Sequence, residues 1–243
     1  MRAPQRIVLP HEHGAWMMWL VPLAVGLAIT PWHLSKPLLV GAVLFAYLAS
    51  YPLLQALRYP GQRTYWLRWA AGYGVVAAAL GIPLVLMRPS LLVVGFAALM
   101  GFAVNAWFAR LRNERNLFND LVAMAGLNLT VVAAYIAGAG VWSDRAWILW
   151  GVCMSYFFGS ALHVKSLIRE RRNRWMKVWA VVYMLAVPVA LAWLLQPLLA
   201  VAYLPAIART LAIPQSHSLR AIALGVIEIV CSVWFAVWLI VLY

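Results

Sequence analysis

Charge is what this sequence has least of. Only 10% of its 243 residues are Asp, Glu, Lys or Arg, and six of those are acidic. A soluble domain of this size could not clothe its surface with so few polar groups, which excludes an ordinary water-soluble fold. Cysteine is nearly absent as well. Cys153 and Cys231 both lie in apolar runs, so a disulfide framework is not indicated. The first ten residues hold neither an apolar core nor a small-residue cleavage site. No removable signal peptide is expected, and the first span would act as its own insertion signal. No alternating-strand pattern is present, which leaves helices as the way to pair backbone groups in lipid.

What is there points the same way. The residues are 66% hydrophobic, with a mean hydropathy of +0.87. The 14 Trp and 10 Tyr suit rings lying at headgroup level. Apolar segments of about spanning length fall near 14–31, 37–57, 66–87, 90–109, 117–139, 146–164, 175–195, 197–213 and 219–242. The eighth is short and holds Pro205 and Arg209. The expected architecture is all-α: a polytopic transmembrane bundle of about nine spans, one helical domain over 1–243.

The net charge is +13. In a soluble chain that would suggest nucleic acid. Here it reads as an orientation signal plus contact with anionic lipid, and no nucleic-acid partner is expected. With the N-terminus inside, 16 of the 19 Lys and Arg residues fall on the cytoplasmic side, and only Lys36, Arg88 and Arg145 fall outside. A weak repeat accompanies this pattern. Arg63, Trp66 and Arg68 recur as Arg172, Trp175 and Lys177, and Tyr47 recurs as Tyr156, with one constant shift. A duplicated four-helix unit would give this spacing, and so would chance in a chain this rich in tryptophan.

Three polar stretches enter from the inner side. In "HEHGAW", His11, Glu12 and His13 precede Gly14, Ala15 and Trp16. Two His at i and i+2 do not share a helical face, so metal binding is not expected. The stretch reads as an interfacial entry, with Gly14 and Ala15 for close packing and Trp16 as an anchor. In "HVKSLIRERRNR", the spacings place His163, Ser166, Arg169 and Glu170 on one face of the sixth helix. Lys165, Arg171, Arg172 and Arg174 add cations that suit a phosphate or diphosphate, or equally a positive-inside stop. In "RNERNLFNDLVAMAGLNL", Asn116, Asn119, Asp120 and Asn128 enter the fifth helix, where polar groups seek interior partners. Glu228 stands alone in the ninth span and needs a partner, with Arg209 or Arg220 as candidates.

"LPHEHGAWMMWLVPLAVG", "NERNLFNDLVAMAG" and "HVKSLIRERRNR" together resemble the YwiC-like integral membrane proteins of bacteria. Pro10 to Trp16 is the most specific part. The layout also resembles the UbiA superfamily of intramembrane prenyltransferases, which implies nine helices and two Asp-rich motifs, after the second and sixth helices, holding Mg²⁺ on a prenyl diphosphate. This chain departs from that pattern. "LLQALRYPGQR" has no acidic residue and "HVKSLIRERRNR" has one Glu and no Asp. Two Mg²⁺ ions need several carboxylates, so no metal site is expected and the cofactor question stays open.

Three readings follow. The first is a UbiA-like inner-membrane protein holding a lipid or prenyl-type amphiphile by its anionic head, with or without catalysis. Lys165, Arg169 and Arg172 would grip the head. His163 and Asp120 would handle protons, and His13, Asn119 and Glu170 would line the mouth. The second is a small-solute or proton-coupled transporter using Asp120, His163 and Glu228. The third is a non-catalytic accessory of a membrane complex.

Overall fold

The computed structural model describes residues 7–10, 13–113, 116–216 and 220–243. Apolar runs in lipid leave the backbone one way to satisfy its polar groups, and the chain takes it. Among the described residues there are ten α-helices and no strand. They are α1 (His13–Ala28), α2 (Ser35–Arg58), α3 (Arg63–Met87), α4 (Leu91–Arg110), α5 (Leu117–Asn128), α6 (Thr130–Ala139), α7 (Asp144–Ile168), α8 (Arg174–Leu194), α9 (Leu199–Ala212) and α10 (Ala221–Leu242). A single 3-10 turn, Pro60–Gln62, joins α2 to α3.

Among the described residues seven stretches are long and apolar enough to cross a membrane, which makes this a multi-pass membrane protein. Two of the nine expected spans fall short. α1 has 16 residues and α9 has 14. At about 1.5 Å per residue neither matches a hydrocarbon core of about 30 Å. α9 ends where Pro214 holds the preceding Ile213 in an extended conformation.

The fifth apolar segment is broken where the sequence suggested continuity, at Leu129 between α5 and α6. Polar side chains make the break tolerable in lipid. Asn128 Nδ2 donates to the Met124 carbonyl at 2.8 Å. Thr130 Oγ1 contacts the carbonyls of Leu127 and Trp19, each at 2.9 Å, and so ties α6 to α1.

The core lies among α1, α6, α7, α9 and α10, around Trp19, Val25, Ile136, Leu149, Tyr156, Tyr203 and Phe235. α3, α4 and α8 bury little and present Val75, Phe96, Trp107 and Trp193 outward, as lipid-facing helices do. α1 approaches α6 closely. A Cβ on Gly26 would stand 2.7 Å from both Ala134 Cβ and the Val131 carbonyl oxygen. Gly14 has open space around it, so the close packing expected there occurs three turns further on. Trp16 turns inward too. Its Nε1 donates to the Pro10 carbonyl at 3.4 Å, and its ring meets Tyr47 edge-on at 5.0 Å.

The alternating helices bring loops together at two ends. At one end Ser35 Oγ donates to the Ala137 carbonyl and Arg145 reaches the Tyr243 carbonyl. At the other, Lys165 pairs with Asp120 and Arg171 holds the 215–216 backbone. Lys36, Arg88 and Arg145, the three cations expected on one side, all lie at the first end. A constant shift carries Ser35, which opens α2, onto Asp144, which opens α7, and brings Leu91 of α4 within one residue of Leu199 of α9. Two helix starts thus recur at the spacing of the sequence repeat.

Candidate functional site at the basic end

α7 carries two polar faces. Tyr156, Ser160, His163 and Leu167 recur at helical spacing and are all buried. They face stripes on α9 (Ala202, Tyr203, Ala206, Arg209, Thr210) and α10 (Leu224, Glu228, Cys231, Ser232, Phe235). Lys165, two residues beyond His163, points to the other side, where its Nζ lies 3.6 Å from Asp120 Oδ2 on the first turn of α5. The expected proton-handling pair is therefore divided between the two faces of one helix.

The inner face is an ion pair set in the bundle. Arg209 is 6% exposed and its guanidinium pairs with Glu228. Ser160 donates to the second carboxylate oxygen of Glu228. His163 is fully buried, and neither ring nitrogen has a hydrogen-bond partner among the described residues. The positive charges that act on it are Arg209 and Lys177. Lys177, at the start of α8, donates to the carbonyls of Thr210 and Ile213 at 2.6 and 2.7 Å and so closes the end of α9. Away from the basic end, Tyr156 stacks on Phe235 at 3.9 Å, and Tyr203 packs edge-on against both rings.

The rim lies just beyond. α7 stops at Ile168, so of the face expected from His163 to Glu170 only His163 and Ser166 stay in the helix interior. Arg169 and Arg172 are exposed and Glu170 is half-buried. Residues Ile168–Asn173 line an open hollow of about 430 Å³. The hollow is held in shape by Gln215, whose Nε2 donates to the carbonyls of Ser166, Glu170 and Asn173 at 3.2, 3.4 and 3.0 Å. Arg171 fastens the same loop by donating to the Gln215 and Ser216 carbonyls at 2.9 and 3.1 Å. The Glu170 carboxylate accepts from Asn173 Nδ2 at 3.3 Å.

The remaining candidates fall into place one by one. Asn119 is buried on α5. Asn116 is spent as the cap of α5, accepting from the Phe118 N–H at 2.8 Å. His13 opens α1, but its side chain lies outside the described residues, as do His11 and Glu12. Among the described residues no three of His, Cys, Asp and Glu stand together to hold a metal ion. The donor set does not fit the Mg²⁺ pair of the UbiA superfamily: the 59–62 turn has no carboxylate, and Glu170 is engaged by Asn173.

Ser160 was missed in the sequence although it sits one turn before His163, a signal the spacing did contain. Gln215 could not be found that way. It acts from a loop, where no period applies.

Residues 9–135, which include α1 to α5 and the Pro10–Trp16 opening, match the family described as YwiC-like protein. The chain belongs to the YwiC-like family. It is 34% identical over 186 residues to the "Uncharacterized protein YwiC" of Bacillus subtilis, covering 75% of this chain and 76% of that one. It is 30% identical over 242 residues to an "Uncharacterized protein" of Haemophilus influenzae, covering 97% and 98%. No solved structure matches, so the likeness to the UbiA superfamily gains no structural neighbour.

Proposed function

We propose that this YwiC-like protein lies in the bacterial cytoplasmic membrane, N-terminus inside, and holds a lipid or prenyl-type amphiphile by its anionic head at the basic end. The observation that carries this reading is the hollow lined by Ile168–Asn173, where Arg169 and Arg172 stand exposed beside a span terminus. Arg grips phosphate oxygens in bidentate fashion and is favoured next to anionic headgroups. Arg169 and Arg172 would take the head. Lys165, half-neutralised by Asp120, would join when a stronger anion displaces that carboxylate. His163 and Asp120, on different sides of α7, are separate candidates for proton transfer, and His13, Asn119 and Glu170 are candidates for further contacts with the ligand.

A transporter needs a polar route to the opposite end. The packing of Tyr156, Tyr203 and Phe235, followed by Leu149, Leu199 and Leu239, favours the amphiphile reading over that route. Native mass spectrometry on protein extracted from its membrane tests it. Anionic lipid or prenyl phosphate should co-purify with the wild type and be depleted in Arg169→Gln/Arg172→Gln. Equal retention by both proteins, or no retained anion, overturns it.

A further inference from the structure

The interior cluster has unpaired polar atoms that the rim does not explain. Glu228 pairs with Arg209 through one oxygen and accepts from Ser160 with the other. Arg209 is not satisfied: its Nε and Nη2 find no acceptor among the described residues, although the side chain is 4% exposed. Both nitrogens of the fully buried His163 are in the same position. Arg209 and Glu228 balance in charge, yet the guanidinium and the imidazole keep N–H groups with no acceptor among the described residues. Burying guanidinium N–H groups with no acceptor is costly in lipid surroundings. Intramembrane ionisable groups accordingly mark a pathway or a binding site.

We propose that Arg209 and His163 form an interior oxoanion site between α7, α9 and α10. The free edge of the Arg209 guanidinium presents Nε and Nη2 in the paired geometry that suits a carboxylate or a phosphate. His163 offers a further N–H, and the pair with Glu228 holds the guanidinium in place. The stacked Tyr156 and Phe235 close the site away from the basic end, so its ligand enters from that end. The ligand is either the head of an amphiphile from the adjoining leaflet or a small soluble anion. This goes beyond the rim reading, and each can fail without the other.

The test uses the purified full-length chain in nanodiscs, with thermal unfolding as readout, since a ligand that binds only the folded state raises its stability. One arm titrates inorganic phosphate and acetate into phosphatidylcholine discs. The other replaces phosphatidylcholine with phosphatidylglycerol. Arg209→Gln alone strands Glu228, so the informative variant is Arg209→Gln/Glu228→Gln, compared with Arg169→Gln/Arg172→Gln. The expected result is a rise in Tm for the wild type in at least one arm, weakened at least about tenfold in concentration dependence by Arg209→Gln/Glu228→Gln and by His163→Ala. A response in the first arm identifies a soluble anion, and in the second a headgroup. No response in either arm overturns the site. So does a response that survives Arg209→Gln/Glu228→Gln. A response lost only in Arg169→Gln/Arg172→Gln overturns the interior site and leaves the rim standing.

Discussion

At one end of the bundle Lys36, Arg88 and Arg145 each lie against the last residues of a helix. Lys36 Nζ donates to the Leu27 and Thr30 carbonyls at the end of α1, at 2.6 and 2.7 Å. The Arg88 guanidinium lies over Gly140, which caps α6 with φ of +79°. Arg145 reaches the Tyr243 carbonyl after α10, and its guanidinium carbon sits 5.5 Å from the Tyr243 ring. At the other end Lys177 and Arg171 do similar closing work, yet Arg169 and Arg172 are exposed and engage no carboxylate among the described residues. The difference separates two uses of one residue type. Lys36 and Arg145 at the first end are matched to helix-terminal carbonyls, where a positive charge complements the dipole. Cations at the basic end outnumber such targets, and the surplus is what an external anion can meet.

The sharpest way to break this contrast lies in the interior. Glu228→Gln leaves Arg209 buried without its counter-charge and should cost about 3–5 kcal/mol in an SDS-unfolding titration. Arg209→Gln/Glu228→Gln should recover most of that loss. If Glu228→Gln is neutral, the pair is not what holds α9 to α10. Lys36→Met tests the matched end. It orphans two half-buried carbonyls and should cost about 1–3 kcal/mol in the same titration, whereas no cost would mean that water replaces the ammonium there.

Gly140→Ala comes next, at about 1–2 kcal/mol, because a side chain is strained at that left-handed backbone angle. It also crowds Arg88 Nη1, 2.7 Å from the would-be Cβ. Tm of the purified variant reports it. Arg145→Gln removes a more exposed cation from a helix terminus and should cost about 0.3–1 kcal/mol by SDS titration. Arg169→Gln/Arg172→Gln should move stability by less than about 0.5 kcal/mol while depleting bound anionic lipid. A large stability loss there would erase the contrast, making the basic rim structural like its counterpart.

Much of this was legible beforehand. Hydropathy located every helix to within a few residues, because lipid demands long apolar runs and internally paired backbone. The scarcity of Lys and Arg outside one set of loops sorted Lys36, Arg88 and Arg145 onto one end. The break at Leu129 was not legible, since Asn128 and Thr130 look like ordinary interior polar residues until their carbonyl partners are seen. Nor was the division of His163 from Asp120. The sequence places both near the same membrane depth, but depth says nothing about which side of α7 each one meets.

By itself, then, the sequence determined that this chain is a helical membrane protein, where its helices run, and which of its residues are too polar to face lipid. Those are one-dimensional properties, set by transfer free energies and by period. Only the tertiary structure decided that Glu228 chooses Arg209 rather than Arg220, that Gln215 shapes the rim, and that Arg209 and His163 share an interior with polar atoms to spare. Such pairings depend on the rotation and separation of helices far apart in the chain, which side-chain packing fixes and residue order does not state.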